Sequence, residues 1–232
     1  MRRRASPPPV PADPLEWRPL EAQPTRRAPA IRDPIIEPMW EGLRVLAHFE
    51  LGSGADAAAT VELRDDDGLN VTRRFADVVS ALATAVTAFD AVIDGFLTDQ
   101  ATATDIGTAI VPQAQASPVG MMLSQAPQVT VGPRPELREA TAVAFVAIDL
   151  LRIDGQLLLD LPLLERKRQL ESLIVQGELV RVSVFARPPV APWLNSWKSA
   201  GFRGAMLKAA NSRYQPGGRT TEWAPVLTTG QR

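Results

Sequence analysis

The sequence predicts an α+β domain, two-lobed, in which helices pack against mostly antiparallel sheets. Two observations carry that prediction. Alternating apolar runs such as "LRVLAHFEL" read as half-buried strands, and runs such as "FADVVSALATAVTAF" place apolar residues at helical spacing. The two kinds are mixed along the chain in an order that suits an α+β fold.

The elements follow in order. Residues 1–30, "MRRRASPPPVPADPLEWRPLEAQPTRRAPA", are rich in Pro and Arg. Proline at this density opposes regular helix and favours extended, solvated backbone, so a disordered, solubilising leader is expected there, with phosphate contacts by its arginines as the alternative. From residue 31 to 232 a single domain is expected. "LRVLAHFEL" and "ATVELRDDDGLNVT" form two strands around the small-residue turn "GSGADA"; "FADVVSALATAVTAF" is a helix, and "DAVIDGFL" a short buried strand. Residues 98–140 show little periodicity and read as an irregular insertion or loop. "TAVAFVAIDLLRIDGQLLLD" gives two strands joined near "RIDG", and "PLLERKRQLESLI" a helix opened by Pro162. "LVRVSVFA" is a strand, and "APWLNSWKSAG" a helix ending at Gly201 as its C-cap. The segment after it supplies a strand, a Gly/Pro loop and a final strand.

Composition narrows the chemistry. The 232 residues are 45% hydrophobic and 22% charged, with a formal net charge of −1. A chain of that length has room for one large domain or two lobes, and its overall charge gives no push toward nucleic acid or membrane. The absence of cysteine removes disulfides, thiolate metal sites and cysteine catalysis. One histidine, His48, leaves no His-rich metal site, and its alternating apolar setting reads as an ordinary strand position. No apolar stretch is long enough to span a bilayer, and "MRRR" is followed by prolines rather than an apolar signal core. A cytoplasmic protein without a membrane partner is the expectation.

Several segments, in order, resemble the adenylation (nucleotidyltransferase) domain of ATP-dependent DNA ligases. "EPMWEGLR" is similar to that family's Glu-x-Lys-x-Asp-Gly-x-Arg, through Glu37, Met39, Glu41, Gly42 and Arg44. "RPLEA" resembles the opening Arg-Pro-Met-Leu-Ala, and "VIDGF" a strand that normally ends Asp-Gly-Glu. "FVAIDLLRIDGQLLLDLPLLERKRQLESLI" is the longest match. "GFRGAMLKAANSRYQPGGRTTEWAPV" resembles Gly-x-Glu-Gly-x-Met-x-Lys, Ser-x-Tyr-x-Pro-Gly-x-Arg and Trp-x-Lys in turn. The resemblance covers roughly residues 16–226 and implies an ATP-grasp-like fold. It also implies a chemistry: a lysine attacks the α-phosphate of ATP, carboxylates hold a divalent metal, an aromatic stacks on adenine, and basic residues steady the phosphates.

Position by position, that chemistry is replaced. Met39 stands where the nucleophilic lysine belongs, and Phe96 where the acid after Asp-Gly belongs. Arg203 takes the place of the second carboxylate, and Ile148 that of the adenine-stacking aromatic. Ala224 and Pro225 stand where phosphate-binding lysines are found. The matching Asp94–Gly95, Asp149, Asp154–Gly155, Arg166, Ser212, Tyr214, Gly217 and Arg219 remain, with turn-making as their plain reading. Glu37, Arg44, Lys208 and Arg219 are the candidates for a vestigial nucleotide cleft, Lys208 being the best remaining phosphate contact. Of the other two lysines, Lys167 reads as lying on a charged helix face and Lys198 beside "SW", neither in the cleft. Trp193 and Trp197, four apart on one helix, read as core packing before base stacking.

Three functional readings follow. The first is a ligase-like pseudoenzyme that binds or scaffolds in DNA repair, recombination or ligation, with DNA ends or nicks, a true ligase or another repair protein as partner. It needs no cofactor and holds no metal. The second is a nucleotide-binding protein with partner-assisted DNA ligase (adenylyltransferase) activity through Lys208, using ATP and Mg²⁺. The third is a structural module whose cleft is filled by Met39, Phe96 and Ile148. The resemblance also implies an OB-fold after the adenylation domain, and the residues beyond Trp223 are expected not to supply one.

Overall fold

The computed structural model describes residues 9–24, 30–53, 58–100 and 143–227. Its largest element is a six-stranded sheet built on β3 (Leu43–Leu51), β4 (Ala59–Asp65), β5 (Asp90–Thr98), β6 (Ala144–Ile153), β7 (Gln156–Leu157) and β8 (Val180–Val182). Strand order is β4-β3-β5-β6-β7, with β8 pairing parallel to β6 and every other pairing antiparallel. A three-stranded antiparallel sheet runs β11-β9-β2, from β11 (Trp223–Leu227), β9 (Gly204–Ala209) and β2 (Pro34–Pro38). A short parallel pair joins β1 (Glu21–Ala22) to β10 (Arg219–Thr220). The α+β, mostly antiparallel architecture read from the sequence is the one present.

Period-two alternation decides what each face of the large sheet carries. Val45, Ala47 and Phe49 of β3, with Ala91 and Ile93 of β5, enter the main core. Helix α1 (Ala76–Ala85) covers them with Val78, Leu82 and Ala85, and helix α2 (Leu163–Leu173) with Leu170 and Leu173. The opposite face presents Leu46 and Val92 to an apolar cluster with Trp17, Leu20, Tyr214 and Trp223. Two register shifts between β5 and β6 interrupt the alternation of β6 and set Asp149 opposite Asp94. Gly95, beside them, is required by space: a Cβ there would meet the Phe145 ring at 2.5 Å and the Val146 carbonyl at 2.6 Å.

Three expectations change in the structure. The leader is not solvated throughout. Residues 9–24 form a strap whose Trp17 and Leu20 are buried in the fold, with a 3-10 turn at Pro14–Glu16 and strand β1. The burial of two large apolar side chains outweighs the extended bias of the prolines around them. The helix expected over 75–89 is a 3-10 turn, Thr72–Phe75, followed by α1 ending at Ala85, because Val86 turns extended to bridge Ile174. The strand expected over 179–186 pairs only across Val180–Val182, and Ala186 bridges Ile36 instead. Helix α3 (Val190–Ser199) ends as expected, with Gly201 at φ 93°. From residue 101 the expected insertion lies outside the described residues.

Trp17→Ala is expected to cost about 3–5 kcal/mol of unfolding free energy, the usual loss for a fully buried aromatic. Chemical denaturation checks it; a loss within experimental error would return the strap to the status of a leader.

Candidate functional site

Between the two sheets lies a chain of buried ion pairs. Glu37 on β2 is 1% exposed and faces two lysines at once: Lys208 Nζ on β9 donates to Oε2 at 3.0 Å, and Lys167 Nζ on α2 lies 2.8 Å from Oε1. The second contact is an ion pair without hydrogen-bond alignment. Lys167 also donates to the Ile148 carbonyl at 3.0 Å. Next along, Arg166 grips Asp149 with two bonds of 2.8 Å and donates to the carbonyls of Leu161 and Ser212. Arg44 holds Asp94 in the same bidentate way, at 2.8 and 2.7 Å. Tyr214 adds its hydroxyl to Asp94 at 2.6 Å and accepts the Leu20 amide, while Arg44 reaches the Leu20 carbonyl at 3.2 Å. The strap is thereby tied to the centre of the domain.

Within this cluster four cations face three carboxylates, leaving one positive charge in excess. Charges taken out of water survive only when paired and hydrogen-bonded, and the aromatic faces help: Lys208 Nζ lies 4.4 Å from the Trp223 ring centre and Arg44 5.2 Å from that of Phe96. The pKa shifts follow the same logic. Burial pushes the Lys208 ammonium down, with Glu37 opposing and Lys167 and Arg44 adding to it. Burial works against the charged form of Arg44, but the charge and hydrogen bond of Asp94, with Tyr214 and Asp149, together outweigh it and the pKa rises. Burial and the Asp94 charge together push the Tyr214 hydroxyl up.

The other sequence-predicted residues lie apart from this chain. Met39, half-buried, follows β2 and donates its amide to the Gly204 carbonyl at 3.0 Å. Its loop is pinned throughout: Trp40 Nε1 donates to Ser183 Oγ at 2.9 Å, and the Glu41 amide to Gln100 Oε1 at 2.9 Å. Gly42, at φ 133°, has no room for a Cβ, which would come 2.2 Å from the Leu97 carbonyl oxygen. Arg203 is exposed and pairs with Glu41 at 3.0 Å. Arg219 is exposed on β10, paired with Glu21, and does not join the buried cluster. Phe96 and Ile148 pack in one apolar cluster with Trp40, Trp193, Trp197 and Phe202, a set that does not include Met39. Among the described residues no group of three or more His, Asp or Glu side chains is placed to hold a metal ion.

A model of the ATP dependent DNA ligase domain matches residues 27–226. The chain belongs to that family. A DNA ligase of Natronomonas pharaonis is 40% identical over 86 residues, 37% of this chain and 16% of that protein. The multifunctional non-homologous end joining protein LigD of Mycobacterium bovis is 27% identical over 187 residues, 81% of this chain and 20% of its own length. Among solved structures, the ligase domain of M. tuberculosis LigD gives a TM-score of 0.61 at 22% identity, covering 93% of this chain and 60% of that one. A mycobacterial DNA ligase D complexed with ATP and MES gives 0.60 at 24%, covering 92% and 60%. At such identities the likeness is one of fold. The chain spans 16% and 20% of the two curated relatives.

Within the ligase family's pattern, the structure corrects the sequence reading at Lys167. Lys167 is not on a solvated helix face. With Leu163, Arg166, Leu170 and Leu173 it forms the buried side of α2, and its stem carries the ammonium inward to Glu37. The i, i+3, i+4, i+7, i+10 spacing of those positions was readable, but charge at 166 and 167 hid it. Of the nominated cleft residues, Glu37, Arg44 and Lys208 are brought together; Arg219 is not.

His48 behaves as a strand residue whose imidazole is pushed down to about 4 by burial, helped by Arg64 and Arg152 and opposed by Asp13. Its folded pKa lies below the unfolded value of 6.5, so the unfolded chain binds more protons between those values. Stability should therefore be fully present above pH 6.5 and be lost progressively as pH falls toward 4. His48→Gln is expected to flatten that part of a melting-temperature profile against pH, and an unchanged slope would contradict the assignment.

Proposed function

We propose that this chain is a ligase-family module that binds or scaffolds in DNA repair or ligation without itself transferring AMP. The observation that carries the reading is the engagement of Glu37 by two buried lysines, beside a loop that presents Met39 where the family places its nucleophile. A thioether cannot form a phosphoramide bond to AMP. The groups that remain charged are turned on each other: Glu37 on Lys167 and Lys208, Asp94 on Arg44, Asp149 on Arg166. Arg203 and Phe96 leave the metal side without its two carboxylates, so the residues present do not fit a divalent ion. The names borne by its relatives, DNA ligase and end joining protein, make DNA ends or nicks, or a true ligase acting on them, the partners of choice. Action in the cytoplasm, away from any membrane, belongs to the same proposal.

One observation favours a second reading, in which the nucleophile has moved. Burial lowers the pKa of Lys208, and a neutral amine is the form that attacks phosphorus. In that case ATP and Mg²⁺ would be used, with a partner supplying the missing groups.

Intact-protein mass spectrometry after incubation with ATP and Mg²⁺ or Mn²⁺ separates the two. The natural chain is expected to stay unmodified, and so is Met39→Lys, which restores an amine but neither carboxylate. An AMP adduct on the natural chain would overturn the proposal, and its mapping to Lys208 would establish the second reading.

A further inference from the structure

On the helix side of the large sheet, a cavity of about 260 Å³ is lined by Ala81, Thr84 and Ala85 of α1 and by residues 175–180. Neither the Glu37 cluster nor the Met39 loop contributes to it. Its walls are held by backbone bonds: the Val175 amide donates to the Ala85 carbonyl and the Gly177 amide to the Val180 carbonyl, both at 2.8 Å. Gln176 Oε1 accepts the Val182 amide at 2.9 Å. Val175, which lines the cavity, is 64% exposed. Beside it the Thr87 amide bonds to the Leu173 carbonyl, and two residues on stands Phe89, 72% exposed. Its carbonyl accepts the amide of Leu51, another exposed apolar residue.

Charge around the cavity has one sign. The framing segments, residues 76–90 and 170–180, hold Asp77, Asp90, Glu171 and Glu178 and no Lys, Arg or His. Among the described residues Asp90 alone of the four has an ion-pair partner, Arg152. Helices α1 and α2 both end here, their C-caps Val86 and Ile174 joined by an antiparallel bridge. Neither helix has a basic residue in its last turn. A helix C-terminus carries partial negative charge that Lys or Arg commonly complements, so these two ends add to the acidic side chains.

We infer that this cavity is a docking site for a basic peptide segment of a partner protein. One aliphatic or aromatic side chain of that segment sits against Val175 and Ala85, and its Lys or Arg side chains face Glu171 and Glu178. The opening is smaller than the ~300–1,000 Å³ of small-molecule sites, which suits a side-chain anchor better than a cofactor. Exposed apolar surface with a polar rim marks an interaction site, and the sign of the rim selects the partner. The same acidic rim repels phosphate backbones, so nucleic acid is the wrong occupant. The site does not depend on whether AMP is transferred.

Selection from a random peptide display library against the full chain, followed by fluorescence anisotropy with the enriched peptides, tests this. Enriched peptides are expected to combine an apolar residue with Lys or Arg and to bind more weakly as salt rises. Counterparts with Glu at each Lys and Arg should not bind. Val175→Ser should weaken binding about tenfold. The double variant Glu171→Lys, Glu178→Lys should weaken it by about tenfold or more and remove its salt dependence. These side chains are exposed, so the melting temperatures of the variants should match that of the natural chain. No enrichment, enrichment of peptides without basic residues, or binding unchanged in the variants would overturn the inference. So would a dimer in sedimentation velocity that Val175→Ser dissociates, which would make a second copy of this chain the occupant.

Discussion

Glu37 is the charge on which the centre of this domain depends. It is a single carboxylate, shut away from water, that must compensate Lys208 from its own sheet and Lys167 from a helix. Removing one partner of such a set leaves a charge in a poorly polarisable interior, at a cost of about 3–5 kcal/mol. That cost fixes the position of β2 against β9 and of α2 against both. The neighbouring pairs, Asp149 with Arg166 and Asp94 with Arg44, extend the same constraint to the large sheet and, through Leu20, to the N-terminal strap.

This arrangement shows how buried charge is compensated inside this fold. The ligase family needs charged residues between its sheets, and a charge there is costly unless something pairs with it. In this chain the pairing is internal. Met39 and Phe96 bring no charge to this set, and Arg203 pairs with Glu41 at the surface. Phe96 and Ile148 join an apolar cluster with two tryptophans of α3. Met39 is not part of that cluster.

Much of the fold was legible because period-two and helical patterns are local. Strands β3, β5 and β6, helices α2 and α3, and the Gly201 cap follow from spacing alone. The motif order led to Glu37, Arg44 and Lys208 as companions. What sequence could not convey was partnership across distance. Lys167 looks solvated among charged neighbours and is buried only because Glu37 waits at the end of its side chain. Trp17 sits among prolines that argue for solvent, and only the apolar cluster with Tyr214 and Trp223 reverses that. Arg219 keeps its place in a motif yet turns to Glu21 at the surface.

The central claim is that Glu37, Lys167 and Lys208 hold the domain together as one buried ion set. It is tested most directly by comparing the unfolding free energy of Glu37→Leu with that of the triple variant Glu37→Leu, Lys167→Met, Lys208→Met. The account predicts a loss of about 3–5 kcal/mol for the single change and recovery of most of it in the triple, because apolar groups of similar volume replace a buried ion set at little cost. A single variant as stable as the natural chain would contradict it, showing that Glu37 is held ready for something other than its two lysines.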